Sequence, residues 1–280
     1  MKLGVHSCVL ERGRNIEQAL GEAAHLGYQG YEPDVGARPH GSIWGGALDL
    51  GAMRAHQTRM RLMEIAQRLR LEFSSVCLGV LWNYSLASPE SGQREEATRI
   101  VREGIAFAAA LGASNLLLPV KQPTSASPQR AREILIASLL SLLDAAKACG
   151  VVLALENVGE SLLFTWENLA EVVDALGSTS CRVCYDVGNA FIHGLDPAHE
   201  LKELKARVVQ IHLKDIRRLG TSRTVVVPLG AGHLDWLTIW DAIRSGDYRG
   251  FLVVEVPAKK LEAKRVAGTS REFLLNLSRS

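Results

Sequence analysis

The sequence lacks the features of a nucleic-acid-binding, membrane or secreted protein. Its 32 Lys and Arg residues nearly balance 30 Asp and Glu, and no basic stripe stands out, so the charge gives no reason to expect nucleic acid. The longest uncharged stretch, Gly104 to Val120, is interrupted by polar residues and proline and predicts no membrane span. The N-terminal run Leu3 to Leu10 has neither the apolar length nor the cleavage pattern of a signal peptide. We therefore expect a cytoplasmic protein without a membrane partner.

Two familiar motifs are also missing. The five cysteines are an odd number, and Cys181 and Cys184 form a single C-x-x-C without a second pair or histidines at zinc-finger spacing. We expect them to be free buried thiols. No G-x-G-x-x-G follows the first predicted strand, which argues against a dinucleotide-binding open sheet.

The sequence does contain a regular alternation of two kinds of segment. Short runs rich in Val, Ile and Leu alternate with amphipathic stretches of helical length, a pattern that favours parallel βαβ units. Eight runs predict strands: Lys2 to His6, Gly30 to Glu32, Phe73 to Leu78, Asn115 to Leu118, Val151 to Glu156, Val183 to Asp186, Val208 to His212 and Phe251 to Glu255. The predicted helices are Ile16 to Leu26, Ala52 to Arg68, Glu95 to Leu111, Ala131 to Cys149, Thr165 to Leu176, Ala198 to Leu204, Trp236 to Ser245 and Ser270 to Leu277.

Eight strand–helix units predict an α/β fold, a single (β/α)8 TIM barrel that spans residues 1–280 as one domain. An open doubly wound sheet is the alternative. Three segments are expected to be long loops at the mouth of the barrel: Gly36 to Gly51, Lys121 to Pro128 and Arg217 to His233.

Four successive predicted strands end in a side chain that can bind a metal. They are Glu156, Asp186, His212 and Glu255, separated by 30, 26 and 43 residues, and the first two separations match one βα unit. The last separation is longer because of the Arg217 to His233 segment. Because the carboxyl ends of barrel strands meet around the mouth, the four side chains are expected to converge near the axis.

Three buried carboxylates at one point repel each other and lose solvation unless a cation lies between them. Three oxygen donors and one imidazole suit Mn²⁺ or Mg²⁺, with Co²⁺ or Zn²⁺ as further possibilities. An octahedral shell would keep two positions for adjacent sugar oxygens. Any one of these residues alone would more often be a loop residue or a helix cap, so the prediction depends on the whole set.

The residues at these predicted strand ends resemble the motifs of a known superfamily. The phrases Leu155-Glu-Asn157, Tyr185-Asp-Val-Gly-Asn189, His212-Leu-Lys-Asp215, Pro228-Leu-Gly-Ala-Gly232 and Val254-Glu-Val256 resemble motifs of the xylose isomerase-like barrel superfamily. The chain is most similar to its sugar and sugar-phosphate isomerase and epimerase branch, which includes ketose 3-epimerases.

The resemblance implies a metal-dependent isomerase or epimerase that acts on a ketose or ketose phosphate. A metal ion polarises the carbonyl and stabilises an enediolate. Two glutamates on opposite faces of the sugar, here Glu156 and Glu255, exchange the proton.

Other residues are candidates for contact with the sugar. His6 and Glu32 end the first two predicted strands, while bracing of loops is the alternative for both. Asn189 stands where several relatives of the resembled family have histidine, which leaves the substrate open. Arg217 and Arg218 resemble that family's basic substrate-contacting position and are candidate phosphate ligands.

Three other functions stay open. A lyase of the inosose dehydratase type uses the same single-metal framework but eliminates water. An apurinic endonuclease needs more histidines and acids than this chain offers at the mouth, and a barrel that binds sugar without turnover is the third possibility. The partner is expected to be a small sugar or sugar phosphate, and a homo-oligomer is also open.

Overall fold

The computed structural model describes residues 1–10, 15–36, 48–159, 162–220, 223–259 and 261–279. Most of the predicted Gly36 to Gly51 loop lies outside these residues. The strands are β1 (Lys2–His6), β2 (Gly30–Glu32), β3 (Glu72–Phe73), β4 (Val76–Cys77), β5 (Asn115–Pro119), β6 (Val152–Glu156), β7 (Cys181–Asp186), β8 (Val208–Leu213), β9 (Asp215–Leu219), β10 (Arg223–Val227) and β11 (Phe251–Val254).

The α-helices of the described chain lie between and after these strands, singly or in pairs. They are α1 (Ser7–Leu10), α2 (Ile16–His25), α3 (Leu50–Arg54), α4 (His56–Leu69), α5 (Ser91–Ala110), α6 (Pro128–Cys149), α7 (Trp166–Leu176), α8 (Val187–Ile192), α9 (Pro197–Leu204), α10 (Trp236–Ser245) and α11 (Ala263–Leu277). None of the described helices is long and apolar enough to cross a membrane.

Local sequence signals explain several helix boundaries. The side chain of Ser127 accepts a hydrogen bond from the backbone of Arg130 at the start of α6, where Pro128 takes the first position. The helices α6 and α7 end at Gly150 and Gly177, which adopt left-handed φ values of 66° and 56°. Glycine tolerates this conformation without strain, so the chain can turn back towards the next strand.

Nine parallel strands form one sheet in the order β3-β2-β1-β11-β8-β7-β6-β5-β4. The edge strands β3 and β4 belong to one run of chain and are separated by Ser74 and Ser75. The sheet is therefore a nearly closed ring, and with the outer helices it forms the predicted (β/α)8 barrel. Because β3 pairs with β2 while β4 pairs with β5, the single strand predicted from Phe73 to Leu78 is divided in two.

The prediction of a loop from Arg217 to His233 is wrong. The Arg217 to His233 segment contains most of an antiparallel hairpin in which β9 pairs with β10. Gly220, with φ of 70°, lies at the turn, and β10 carries three consecutive valines, residues 225–227. Such β-branched residues favour strands over loops. The prediction of free buried thiols is confirmed for Cys181 and Cys184, whereas Cys149 is free but exposed.

The end of the barrel opposite the strand carboxyl termini is filled by an aromatic ring. Phe251 begins β11, and a Cβ atom built on Gly30 would lie 2.4 Å from its ring. A Cβ atom on Gly4 would lie 3.5 Å from the same ring. A second layer, formed by Cys77, Leu117, Ala154 and Cys184, lies between this ring and the mouth. The barrel is therefore a packed core below the strand ends.

Asp215 holds together the chain that follows the hairpin. Its buried carboxylate accepts hydrogen bonds from the backbone N–H groups of Gly230 and Gly232 and from the Trp236 indole, each at 2.9 Å. Hydrogen bonds to a charged acceptor are stronger than neutral ones, and a buried donor that loses its acceptor is costly. One carboxylate therefore fixes the entry to α10.

We expect Asp215→Asn to lower the free energy of unfolding by about 1–3 kcal/mol, because the new amide group places a donor against existing N–H donors. Urea denaturation followed by circular dichroism measures the change. The control is Asp241→Asn on the exposed face of α10, where the aspartate pairs with Arg244 one turn away, and it should leave the midpoint unchanged. Equal effects of the two substitutions would contradict the role given to Asp215.

Candidate metal centre

Strand geometry points the strand-end side chains into the barrel. Side chains two residues apart on a strand share a face. Glu156 lies two residues beyond Ala154, and Asp186 lies two beyond Cys184, both of which belong to the interior layer. The full set is buried: Glu156, Asp186, His212 and Glu255 are between 0% and 7% exposed.

The four side chains meet at one place. One ligand atom from each lies within 4.8 Å of the others. The Nδ1 atom of His212 is 3.3 Å from Glu156 Oε1 and 3.1 Å from Glu255 Oε2. The imidazole therefore lies between two carboxylates, and the same ring atom faces both.

The opposite nitrogen of His212 faces Glu32. The Nε2 atom is 3.1 Å from Glu32 Oε1, and Glu32 also accepts hydrogen bonds from Ser75 and Gln210. Burial acts to raise the pKa of Glu32, but the neighbouring His212 outweighs it and the pKa is lowered. Glu32 is therefore a carboxylate, which favours a proton on Nε2. Burial acts to lower the pKa of His212, but its neighbours Cys184, Glu32 and Glu255 raise it well above its usual value, so a metal ion at Nδ1 would displace the proton from that nitrogen.

Asp186 is held by its backbone as well as by its side chain. Its N–H donates to Asn157 Oδ1 at 2.7 Å, and its carbonyl accepts from Asn157 Nδ2 at 2.9 Å. The carboxylate caps α8 through Oδ1, which accepts from the Asn189 N–H at 2.7 Å. Burial raises the pKa of Asp186, and the nearby carboxylates of Glu255 and Glu156 act in the same direction.

The second oxygen of Asp186 tests whether the donors fit a cation. Oδ2 is buried and accepts no hydrogen bond of normal geometry from the described residues, although the Lys214 ammonium is 2.9 Å away. A buried carboxylate oxygen that lacks a hydrogen bond of normal geometry fits a site that a further cation can contact. Three carboxylates and one neutral imidazole nitrogen are a donor set that fits a divalent cation.

Lys214 is a site residue that the sequence reasoning did not single out. Its ammonium lies 2.9 Å from both Asp186 Oδ2 and Glu255 Oε2, and it donates to Asn189 Oδ1 at 3.3 Å. Burial acts to lower the pKa of Lys214, but the surrounding carboxylates raise it above its usual value. The same ammonium, with His212, outweighs burial at Glu255 and holds the pKa of that residue well below its usual range.

The structure also places the remaining candidates. His6 ends β1 with Nε2 3.5 Å from Glu32 Oε1, and its Nδ1 accepts from the Cys8 N–H at 3.0 Å. Asn189, 8% exposed, donates to the Asn157 carbonyl at 2.9 Å. Both therefore lie at the edge of the cluster and already have protein partners.

The two arginines lie outside the cluster. Both are exposed on β9. Arg217 donates to the Ala231 carbonyl, and the Arg218 guanidinium stacks on the Phe191 ring at 4.3 Å. Phe191 is five residues beyond Asp186 in the chain, so Arg218 lies close to the mouth of the barrel.

The residues that sequence reasoning missed had weak signals. Lys214 belongs to the quoted His212-Leu-Lys-Asp215 phrase, and its position two residues after His212 predicts the same face of the strand. Gln210 lies two residues before His212 and follows the same rule. Ser75 had no such signal, because it lies at the break between β3 and β4.

The chain resembles known proteins in sequence and in fold. A family model described as "Xylose isomerase-like TIM barrel" matches residues 20–277. The putative L-ribulose-5-phosphate 3-epimerase SgbU of Escherichia coli strain K12 is 28% identical over 196 residues. That alignment covers 66% of this chain and 66% of the relative, slightly less than two thirds of its length.

Solved structures share the fold over nearly the whole chain. A D-tagatose 3-epimerase-like protein superposes with a TM-score of 0.82 at 19% identity, covering 100% of this chain and 97% of that one. The IOLI protein with a bound zinc atom superposes with a TM-score of 0.83 at 16% identity, covering 99% and 98%. At these identities the likeness establishes the fold alone.

A divalent cation is expected to stabilise the protein through the four-residue cluster. Mn²⁺ at a hundredfold excess over its dissociation constant should add about 2.7 kcal/mol to the free energy of unfolding, and Asp186→Asn should abolish this gain. Thermal unfolding after treatment with a chelator measures both effects. The matched control is Glu200→Gln, which alters a buried carboxylate bonded to Tyr185 outside the cluster, and it should keep the gain. No gain in the wild type would contradict the metal centre.

Glu32→Gln separates the two roles that Glu32 can have. If Glu32 orients His212, the substitution should weaken Mn²⁺ binding about 10- to 100-fold, as measured by isothermal titration calorimetry. Unchanged Mn²⁺ affinity together with weaker sugar binding would instead support the sequence-based expectation that Glu32 contacts the substrate.

Proposed function

The chain belongs to the xylose isomerase-like TIM barrel family, and on this premise we propose that it is a divalent-metal-dependent epimerase or isomerase of a ketose or ketose phosphate. The observation that carries the proposal is the convergence of Glu156, Asp186, His212 and Glu255 inside the barrel mouth. The name of its curated relative, a putative 3-epimerase of L-ribulose 5-phosphate, supports the reaction class.

In this proposal the cation is held by Glu156, Asp186, His212 and Glu255. Mn²⁺ is our first choice because oxygen donors predominate, and Mg²⁺, Co²⁺ or Zn²⁺ are compatible with the same set. When bound, the cation supplies a positive charge that polarises the substrate carbonyl and stabilises the enediolate. The protein supplies the orientation, because Glu32 fixes the His212 ring and Asn157 fixes the Asp186 backbone.

Glu156 and Glu255 are proposed as the acid and base pair. Both approach the same nitrogen of His212, so they flank one space. The lowered pKa of Glu255 keeps it ionised, and its position beside the shared space is what suits it to accept a proton from the carbon next to the carbonyl. The electron pair of that C–H bond moves into the enediolate, and Glu156, which must enter this step protonated, gives its proton to the opposite face. Inversion at that carbon follows. Proton exchange with water then restores both glutamates.

The polar residues at the rim are proposed to select the substrate. His6 and Asn189 lie at the edge of the cluster and are placed to contact sugar hydroxyls. Arg218, which stacks on Phe191, and Arg217 next to it are proposed to bind the phosphate of a phosphorylated ketose. Glu32 is buried behind His212, and we assign it to the support of that ring rather than to the sugar.

The proposal covers the chain as a unit. Strands from Lys2 to Val254 contribute to the same ring, so we propose that residues 1–280 form one domain. A cytoplasmic location and assembly into a homo-oligomer stay predictions.

The proposal is tested by proton exchange in deuterated water. Metal-loaded protein is incubated with L-ribulose 5-phosphate, D-psicose and D-tagatose, and deuterium incorporation is followed by NMR. We expect exchange at the carbon next to the carbonyl of one ketose. Glu255→Gln should reduce the rate by about 10²- to 10⁴-fold because the proton acceptor is lost. Glu64→Gln, on the exposed surface of α4, is the control and should exchange at the wild-type rate.

The other outcomes identify the alternatives. Release of water from the substrate would favour a lyase of the inosose dehydratase type. Sugar binding without exchange would favour a binding protein. Near-normal exchange in the Glu255→Gln variant would contradict the acid and base pair.

A further inference from the structure

One buried cation of the protein contacts the same carboxylates that are proposed to hold the metal. The Lys214 ammonium lies 2.9 Å from Asp186 Oδ2 and 2.9 Å from Glu255 Oε2, and the residue is 3% exposed. Two of the three proposed carboxylate ligands therefore already have a positive partner. The ammonium and a divalent ion would be attracted to the same two oxygens.

The fold holds the Lys214 side chain in this position. Its stem crosses the start of α8, where a Cβ atom on Gly188 would lie 2.0 Å from Lys214 Cγ and 2.9 Å from Cδ. Only a residue without a side chain leaves room for the stem at this point. The third contact, to Asn189 Oδ1 at 3.3 Å, belongs to the same turn of helix. The ammonium is thus directed at the cluster by packing as well as by charge.

We propose that Lys214 is a built-in competitor for the divalent cation and sets the affinity of the site for metal. The inference rests on the metal site of the proposed function. Glu156, Asp186 and Glu255 carry three negative charges, and Lys214 carries one positive charge. The ammonium offsets one of these negative charges, so a divalent cation that enters the site meets less negative charge than it would without Lys214.

This arrangement has two consequences. Without a metal ion, the ammonium compensates two of the buried carboxylates and allows the strand ends to stay together. With a metal ion, Lys214 shares or gives up its contact with at least one carboxylate oxygen of Asp186 or Glu255. This loss makes metal binding weaker. The residue therefore stabilises the metal-free protein at the expense of affinity.

The direction of the effect separates this role from a structural one. A lysine that only braces the ligands would, when removed, loosen them and weaken metal binding. A lysine that competes with the metal would, when removed, strengthen it. Lys214→Met keeps most of the length and volume of the stem while it removes the charge.

The test is a titration of chelator-treated protein with Mn²⁺ by calorimetry, together with thermal unfolding with and without the ion. We expect Lys214→Met to bind Mn²⁺ about tenfold more tightly or better, to unfold at a lower temperature without the ion, and to gain more from the ion than the wild type does. The control is Lys2→Met, which removes an exposed lysine that pairs with Glu72 far from the mouth, and it should match the wild type.

If Lys214→Met does not fold without the ion, the inference requires that Mn²⁺ restore folding and that sodium chloride at the same ionic strength not do so. Lys214→Gln, a polar variant, is expected to behave in the same direction. Unchanged or weaker Mn²⁺ binding, or misfolding that the ion does not correct, would overturn the inference. If the wild type binds Mn²⁺ and the Lys214→Met variant binds it no more tightly, only the inference about Lys214 is overturned. If neither the wild type nor the variant binds Mn²⁺, the proposed function is overturned as well.

Discussion

The structure of the barrel mouth depends on how the repulsion between its acidic side chains is compensated, because the backbone does not allow these side chains to separate. Hydrogen bonding between neighbouring strands fixes where each strand ends, and so fixes the distances among Glu156, Asp186 and Glu255. Burial adds a desolvation cost to the repulsion. The positive charge must therefore come to the carboxylates. His212, Lys214 and the proposed metal ion meet this requirement from different sides, and the hydrogen bonds of Glu32 and Asn157 serve mainly to keep these groups in register.

The fold and the centre of the site could be predicted because both depend on short-range patterns. An apolar run that ends in a carboxylate, as in β6, predicts both that the strand is buried and where its polar end lies. Three such runs and a fourth that ends in His212 indicate a common edge, and the alternation of side chains along each strand then decides the direction in which they point. The helix ends at Gly150 and Gly177 were readable for a similar reason, because a single residue determines the local geometry.

The features that sequence reasoning missed depend on residues far apart in the chain. Glu32 and Gln210 are separated by 178 positions, so nothing local indicates that Glu32 supports His212 from behind. The break at Ser74 and Ser75 follows from the need to pair with β2 at one end and with β5 at the other. The buried position of Lys214 was not predicted, because a lysine in a sequence usually indicates a solvated surface. The β9–β10 hairpin was hidden by its position after the strand ends, where loops are the usual expectation.

The Phe251 ring packs against Gly30 at the far end of the barrel, below the acidic cluster of the mouth. Beneath the acidic groups lie this ring and the layer formed by Cys77, Leu117, Ala154 and Cys184. Electric field lines from the ionised groups are poorly screened in that direction and extend towards the mouth, where a substrate would enter. A change at the floor, far from any reacting atom, would thus alter the potential that a bound molecule experiences.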